Sequence, residues 1–193
     1  MKHRLDLFDK LIMPILNYSC DVWGFHRAIH VERVHTQYCK RTLQMKRCTQ
    51  NDFVYGTLGR LDLTYNRYVR IVKFWLKIVC TNDCKLVYEV LNTDVNINPN
   101  NVSWVTLLKN LLSALGFYAV WLAQSVGNVD VFIHVFKQRL RDVNIQNWNS
   151  RIENSPRSTF FKNIVSFHLQ FHLKCDLPCH FRVAMLIETG RIM

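Results

Sequence analysis

Tyr68-Val69-Arg70-Ile71-Val72-Lys73-Phe74-Trp75-Leu76-Lys77-Ile78-Val79 is the stretch on which the fold turns. Tyr68, Ile71, Val72, Trp75 and Val79 recur at helical spacing and share one face of an α-helix. The same reading extends outward. Between Arg27 and Arg47, Val31, Val34, Tyr38 and Met45 follow the same rule and define an expected core face. Leu86 to Leu91, Trp104 to Leu115 and Asp130 to Trp148 supply further helices, and clean strand alternation is scarce. Asp94-Val95-Asn96-Ile97-Asn98-Pro99-Asn100-Asn101 does alternate, but its Asn density and Pro99 make it a connection. It divides a domain over residues 1–93 from a helical region over 102–193, with 94–101 as linker and a second break at Asn154-Ser155-Pro156. The expected class is all-α, a helical bundle.

Composition agrees. The 193 residues are 49% hydrophobic with only six Gly and four Pro, enough apolar matter for a core and too little low complexity for a disordered chain. Met1-Lys2-His3-Arg4 leads into a charged stretch with no apolar core, so no signal peptide is expected. The protein should be intracellular, nuclear or cytoplasmic, its seven cysteines reduced thiols. The uncharged window Asn110 to Val129 has the length of a membrane span. Its interspersed Asn, Gln and Ser, and the breaks at Gly116 and Gly127, favour two short buried helices and no membrane role.

The net charge of +11 is uneven: residues 1–80 carry 14 Lys/Arg against six Asp/Glu. On an ideal helix Arg33, Gln37, Lys40, Gln44 and Arg47 fall within about 80° of arc, opposite the Val31/Val34/Tyr38/Met45 stripe. Arg41 lies beside them. In the next helix Arg67, Arg70, Lys73 and Lys77 form a second polar face around Phe74. Two such faces can follow a phosphate backbone, since each cation that neutralises a phosphate releases condensed counterions. No base-reading motif accompanies them, so the implied partner is nucleic acid, RNA–DNA or DNA, bound without sequence preference. The competing account is a solvated helix surface, though i, i+4 ion pairing does not explain these charges.

Chemistry beyond binding is sparse. His168, His172, Cys175 and Cys179 have spacings that could close a tetrahedral zinc site. Leu177-Pro178 does not supply the tight turn of a zinc ribbon, and a surface His pair beside incidental Cys is the ordinary reading. No metal or other cofactor is expected. His35 and Cys39, an i, i+4 pair, lack an orienting acid in the sequence and read as solvent-facing. The 14 acids include no adjacent pair for a two-metal centre, and no nucleophile-elbow, phosphate-loop or His-Glu-x-x-His motif occurs. No catalytic residues are assigned, and an enzyme is not expected.

Several ordered segments resemble one family. Leu7-Phe8-Asp9-Lys10-Leu11-Ile12-Met13-Pro14-Ile15-Leu16-Asn17-Tyr18-Ser19-Cys20-Asp21-Val22-Trp23-Gly24 is similar to the segment just past the polymerase palm in reverse transcriptases of non-LTR (LINE-type) retrotransposons. Ile29 to Arg41 is similar to that family's next helix. Tyr55-Gly56-Thr57-Leu58-Gly59-Arg60 resembles its short Gly-Glu-Leu-Gly-Arg signature, and Tyr68 to Ile78 the helix that follows. Leu115 to Leu122, Phe136 to Leu140 and Gln146-Asn147-Trp148 resemble the tail. Ser19 stands where the family usually has Gly, and Thr57 where it usually has Glu. His180-Phe181-Arg182-Val183-Ala184-Met185 runs directly into Leu186-Ile187-Glu188-Thr189-Gly190-Arg191, which reads as an internal deletion in a truncated copy.

The resemblance implies a thumb-like N-terminal part followed by a helical tail, without the palm and its metal-binding aspartates. It implies a non-catalytic remnant that retains nonspecific template–primer binding through Arg33, Lys40, Arg41, Arg47, Arg67, Arg70, Lys73 and Lys77. The alternative is a protein–protein interaction or self-association module, in which Trp75, Trp104, Phe117, Trp121 and Trp148 form an exposed surface. A first helix from Leu5 to Asn17, with Pro14 inside it, is expected to leave Leu11, Ile12, Ile15 and Leu16 partly exposed and to be the least stable element.

Overall fold

A computed structural model describes residues 2–80, 103–156 and 166–170. Within them the protein is all-α, as the periodicity requires. The helices are α1 (Lys2–Leu7), a π turn (Phe8–Ile12), α2 (Met13–Leu16), α3 (Cys20–Trp23), α4 (Ile29–Thr42), α5 (Asn51–Leu58), α6 (Leu63–Cys80), α7 (Trp104–Ala114), α8 (Tyr118–Ala123) and α9 (Val129–Asn154). A lone antiparallel bridge joins Leu58 to Leu169. The expected helix at Leu86–Leu91, the 94–101 linker, and His172, Cys175 and Cys179 lie outside the described residues.

Contacts gather the chain into two compact units that interleave along the sequence. One draws on Met1–Tyr18, Ala28–Leu63 and Val143–Met193, the other on Ser19–Arg27 and Thr64–Asp142.

In the first unit, the N-terminal segment is not the single helix expected from Leu5 to Asn17. Met13 N–H bonds to the Phe8 carbonyl, five residues back, and this widened turn immediately precedes Pro14. Proline has no N–H and its ring crowds the carbonyl one turn earlier; a π turn relieves both problems. Pro14 then occupies the first turn of α2, where no N–H is needed. The expected exposure holds at Leu11 and Ile15, which are 61% and 75% exposed, while Ile12 and Leu16 are half-buried. α2 buries no residue at all.

Among the described residues of the first unit, two apolar groups form. Leu5, Cys39, Leu43, Val54 and Leu58 pack with Tyr38, Met45 and Leu169. Trp148 and Ile152, from the end of α9, pack with Phe53 and Phe167. Gly56 makes the second cluster fit, because a Cβ there would overlap the Trp148 indole. The indole N–H donates to the Asp52 carbonyl at 2.8 Å, and Arg151 reaches the Asp52 carboxylate at 2.9 Å. Gly59 ends α5 in the left-handed region at φ 61°, and a Cβ there would sit 2.6 Å from His168 Cα.

In the second unit, α6 buries Ile71, Val72 and Trp75 of the expected face together with Leu76 and Ile78, while Tyr68 and Val79 are half-buried. Trp75 stacks on Trp121 with ring centroids 6.1 Å apart, and Phe117 packs with Phe132 and Phe136. Gly116, at φ 80°, separates α7 from α8, so the uncharged window is two short helices. Among the described residues no helix is long and apolar enough to cross a membrane. The tryptophans are not the exposed surface anticipated for an interaction module. Trp75, Trp121 and Trp148 are buried, and Trp104 and Phe117 are half-buried, because each finds aromatic or hydrogen-bonding partners inside its own unit.

Ser19 adopts the left-handed conformation at φ 50°, and its side chain makes no capping hydrogen bond. A Cβ in that region costs about 1–2 kcal/mol, partly offset by the greater unfolded freedom of glycine. Ser19→Gly should therefore stabilise the protein by about 0.5–1 kcal/mol, seen as a higher urea midpoint at unchanged slope, whereas Ser19→Ala should not.

Candidate nucleic-acid interface and the buried His35 cluster

α4 is turned by roughly a third of a turn from its expected orientation. Its buried residues are His35, Thr36, Cys39, Lys40 and Thr42, whereas Val34 is 44% exposed. A hydropathy stripe misreads this helix because its inward side chains are polar groups with designated partners. The Thr36 hydroxyl lies 2.7 Å from the Tyr55 hydroxyl and bonds back to the Glu32 carbonyl. The Arg60 Nε–H points at His35 Nε2 at 3.3 Å. The helix also ends at Thr42, so Gln44 and Arg47 do not continue its arc; Gln44 is left-handed at φ 56°.

His35 and Cys39 are thus fully buried, not solvent-facing. The His35 ring stacks between Phe8, at 5.2 Å, and Tyr55, at 5.5 Å. Arg60 lies over the Phe8 ring and forks onto Asp9, with Nη1 3.0 Å from Oδ2 and Nη2 on Oδ1. Asp9 is bonded to Arg60 and not to the imidazole, so it does not supply the orienting acid that the local sequence lacks. Burial and the neighbouring Arg60 cation push the imidazole pKa down to about 3. Burial pushes the Cys39 thiol up to about 12 and raises the Tyr55 phenol as well. Burial opposes the Arg60 charge, but the Asp9 carboxylate outweighs it and the guanidinium is held more firmly protonated. A neutral imidazole and an un-ionised thiol make this a packed polar core rather than a nucleophile site.

The residues expected to hold nucleic acid divide into two sets. Arg33, Arg41 and Arg47 are exposed, and Lys46, which sequence reasoning passed over, joins them in the turn after α4. Arg33, Gln37 and Arg41 stand at i, i+4 and i+8 on the outer face of α4, and no ion pair holds either arginine among the described residues. Lys73 and Lys77 are exposed on α6.

Lys40, Arg67 and Arg70 are engaged within the fold, the first two buried and Arg70 partly exposed. Lys40 is only 9% exposed; its ammonium donates to the Arg47 carbonyl at 2.9 Å and stitches the turn after α4, and burial lowers its pKa. Arg67 is 2% exposed, with its guanidinium over the Trp23 ring and Nη2 bonded to Thr64 Oγ1 at 2.8 Å. Gly24 packs against its stem. Arg70 pairs with Asp21, whose backbone carbonyl also accepts from the Trp104 indole at 2.9 Å. Trp23 and Asp21 lie far away in sequence, and the Arg47 carbonyl lies beyond the end of α4, so a helical wheel places all three cations on open faces.

His168 is exposed and bonds Ser166 through Nδ1 at 2.7 Å. Among the described residues no group of His, Cys, Asp and Glu could hold a metal ion.

Cys39 generates a pH prediction. The thiol ionises near 9.0 when unfolded and near 12 in the folded chain, so the folded state keeps its proton over that interval. Its contribution to stability is complete below pH 9 and is lost as pH climbs to 12, about 4 kcal/mol at most. Chemical denaturation at stepped alkaline pH should show this fall, and Cys39→Ala should shrink it.

Comparison with known protein families, curated proteins and solved structures finds no match to this chain.

Proposed function

We propose that this protein is a non-catalytic helical relative of the thumb and tail of a non-LTR retrotransposon reverse transcriptase, and that it binds nucleic acid through phosphate contacts without sequence preference. The observation that carries the reading is the cationic face of Arg33 and Arg41 on α4 with Lys46 and Arg47 in the following turn, all exposed and without carboxylate partners among the described residues. Cations already neutralised inside a fold have little left to offer a phosphate; these four do not spend their charge that way. The left-handed backbone at Ser19, where the family usually has Gly, also supports the resemblance.

Binding to RNA–DNA and DNA duplexes should be measurable at low salt and should weaken linearly in log K against log salt. Arg33→Gln with Arg41→Gln should reduce the slope by about 0.9 per lost phosphate contact, and Arg139→Gln with Arg141→Gln should leave it nearly unchanged. Absent affinity, a flat salt response, or equal effects from both pairs would count against the reading.

A second reading, self-association, is favoured by one observation. Leu7, Leu11, Ile15 and Tyr18, at i, i+4, i+8 and i+11, are 55%, 61%, 75% and 78% exposed. Under that reading light scattering should show the mass rising with concentration, and Leu11→Lys with Ile15→Lys should abolish the rise.

A further inference from the structure

The N-terminal segment has two anchors, a group of contacts from Arg4 to Asp9 and the buried Asn17 beyond α2. Leu5 enters the Cys39/Leu43/Val54/Leu58 cluster, and the Tyr38 hydroxyl donates to the Arg4 carbonyl. Phe8 stacks on His35 and Tyr38, and Asp9 is forked by Arg60. Beyond the π turn, α2 buries no residue. Of these attachments, Phe8 and Asp9 contact the His35–Arg60 pair directly.

That pair is proton-sensitive by construction. His35 Nε2 accepts from the Arg60 Nε–H, so the ring proton sits on Nδ1, and Nδ1 is buried with no hydrogen-bond partner among the described residues. The neutral ring therefore already carries an unrewarded donor, and a second proton would have to go on the nitrogen that faces a guanidinium. Arg60, after α5, donates to the imidazole and Tyr55, from α5, stacks on it; Asp9 of the π turn pairs with Arg60, Tyr38 lies against Phe8, Cys39 is one turn further along α4, and Glu32 and Asp62 act on Tyr55 from farther out. The Asp9 carboxylate is taken up by Arg60.

We propose that His35 and Arg60 form an acid-released latch on the N-terminal segment. Protonation turns the acceptor of the Arg60 Nε–H into a donor, drives the guanidinium away, breaks its fork on Asp9 and frees residues 2–12, with Asn17 left as the anchor. Opening uncovers Leu5, Phe8 and Cys39, buried in the closed form, next to the apolar run Leu7, Leu11 and Ile15.

The test is amide hydrogen exchange of the full chain, read by mass spectrometry between pH 7.0 and 5.0 and corrected for intrinsic exchange rates. That range lies above the ordinary carboxylate values and spans that of a free imidazole. Below about pH 6.5, opening of residues 2–12 should gain about tenfold per pH unit, roughly thirtyfold by pH 5.0, while residues 63–80 keep their protection. His35→Gln, which preserves an acceptor but does not take up a proton, should flatten the pH dependence of the N-terminal peptides. Asp9→Asn should raise their exchange at pH 7.0. A pH-independent N-terminal segment in the wild type, parallel loss of protection in residues 63–80, or an unchanged pH dependence in His35→Gln would each overturn the latch. If His35→Gln loses its helical circular dichroism, the wild-type comparison of the two regions decides alone.

Discussion

The guanidinium of Arg60 is the point on which the first unit depends. One planar cation forks onto Asp9, donates to His35 and covers the face of Phe8. It thereby ties the π turn, α4 and the end of α5 together across 51 residues of sequence. Lysine could supply the charge but not the three simultaneous directions, because its ammonium lacks a rigid fork and a stacking face. The turn that delivers Arg60 is set by Gly59: a left-handed residue is needed to reverse the chain after α5, and the approach of His168 excludes a Cβ. The motif Tyr55-Gly56-Thr57-Leu58-Gly59-Arg60 is thus a set of separate packing requirements. Tyr55 stacks on His35, Gly56 receives the Trp148 indole, and Thr57 is buried with its hydroxyl bonded to the Phe53 carbonyl. A glutamate at 57 would bring a carboxylate into that dry position.

The acids in residues 1–80 explain why the basic face is so bare. Asp9 goes to Arg60, Asp21 to Arg70, Asp52 to Arg151, and Glu32 accepts from the Leu63 N–H at 3.1 Å. Each of these carboxylates is committed to the protein's own architecture. The surplus positive charge therefore collects on residues with no structural task, chiefly Arg33, Arg41, Lys46, Arg47, Lys73 and Lys77. Counting charges along the chain detects the surplus; only the pairing shows which cations hold it.

Periodicity was a good guide where burial is apolar and a poor one where it is polar. α6 and the two-helix nature of the 110–129 window were legible because Ile71, Val72, Trp75 and Leu108 bury plain hydrocarbon or indole on one face. α4 was not, because His35, Thr36, Thr42 and Lys40 go inward while Val34 stays out. That inversion depends on partners 19 to 25 residues away, Tyr55 and Arg60, to which a helical wheel is blind. The π turn was half legible: Pro14 announced a disturbance, but whether it would appear as a kink, a break or a widened turn depends on what the preceding residues pack against. The interleaving of the two units was invisible for the same reason, since composition marks a linker and not which distant segments meet.

A buried polar cluster is weak evidence for stability. Removing charge from water costs several kcal/mol, and apolar side chains of equal volume often serve as well or better. Cys39, Leu43, Val54 and Leu58 show that this unit can build an apolar core a few ångströms away. At His35 the balance is worse than neutral, because one ring nitrogen is buried without a partner while the other is matched only as long as the ring stays uncharged. What such a cluster provides that hydrocarbon does not is dependence on a protonation state. Leucine at 35 would hold Phe8 equally at any pH, whereas an imidazole facing a guanidinium holds it only while neutral. The π turn belongs to the same logic. It separates the attachment at Leu5–Asp9, which a single proton can undo, from the buried Asn17 beyond α2, which does not depend on that proton.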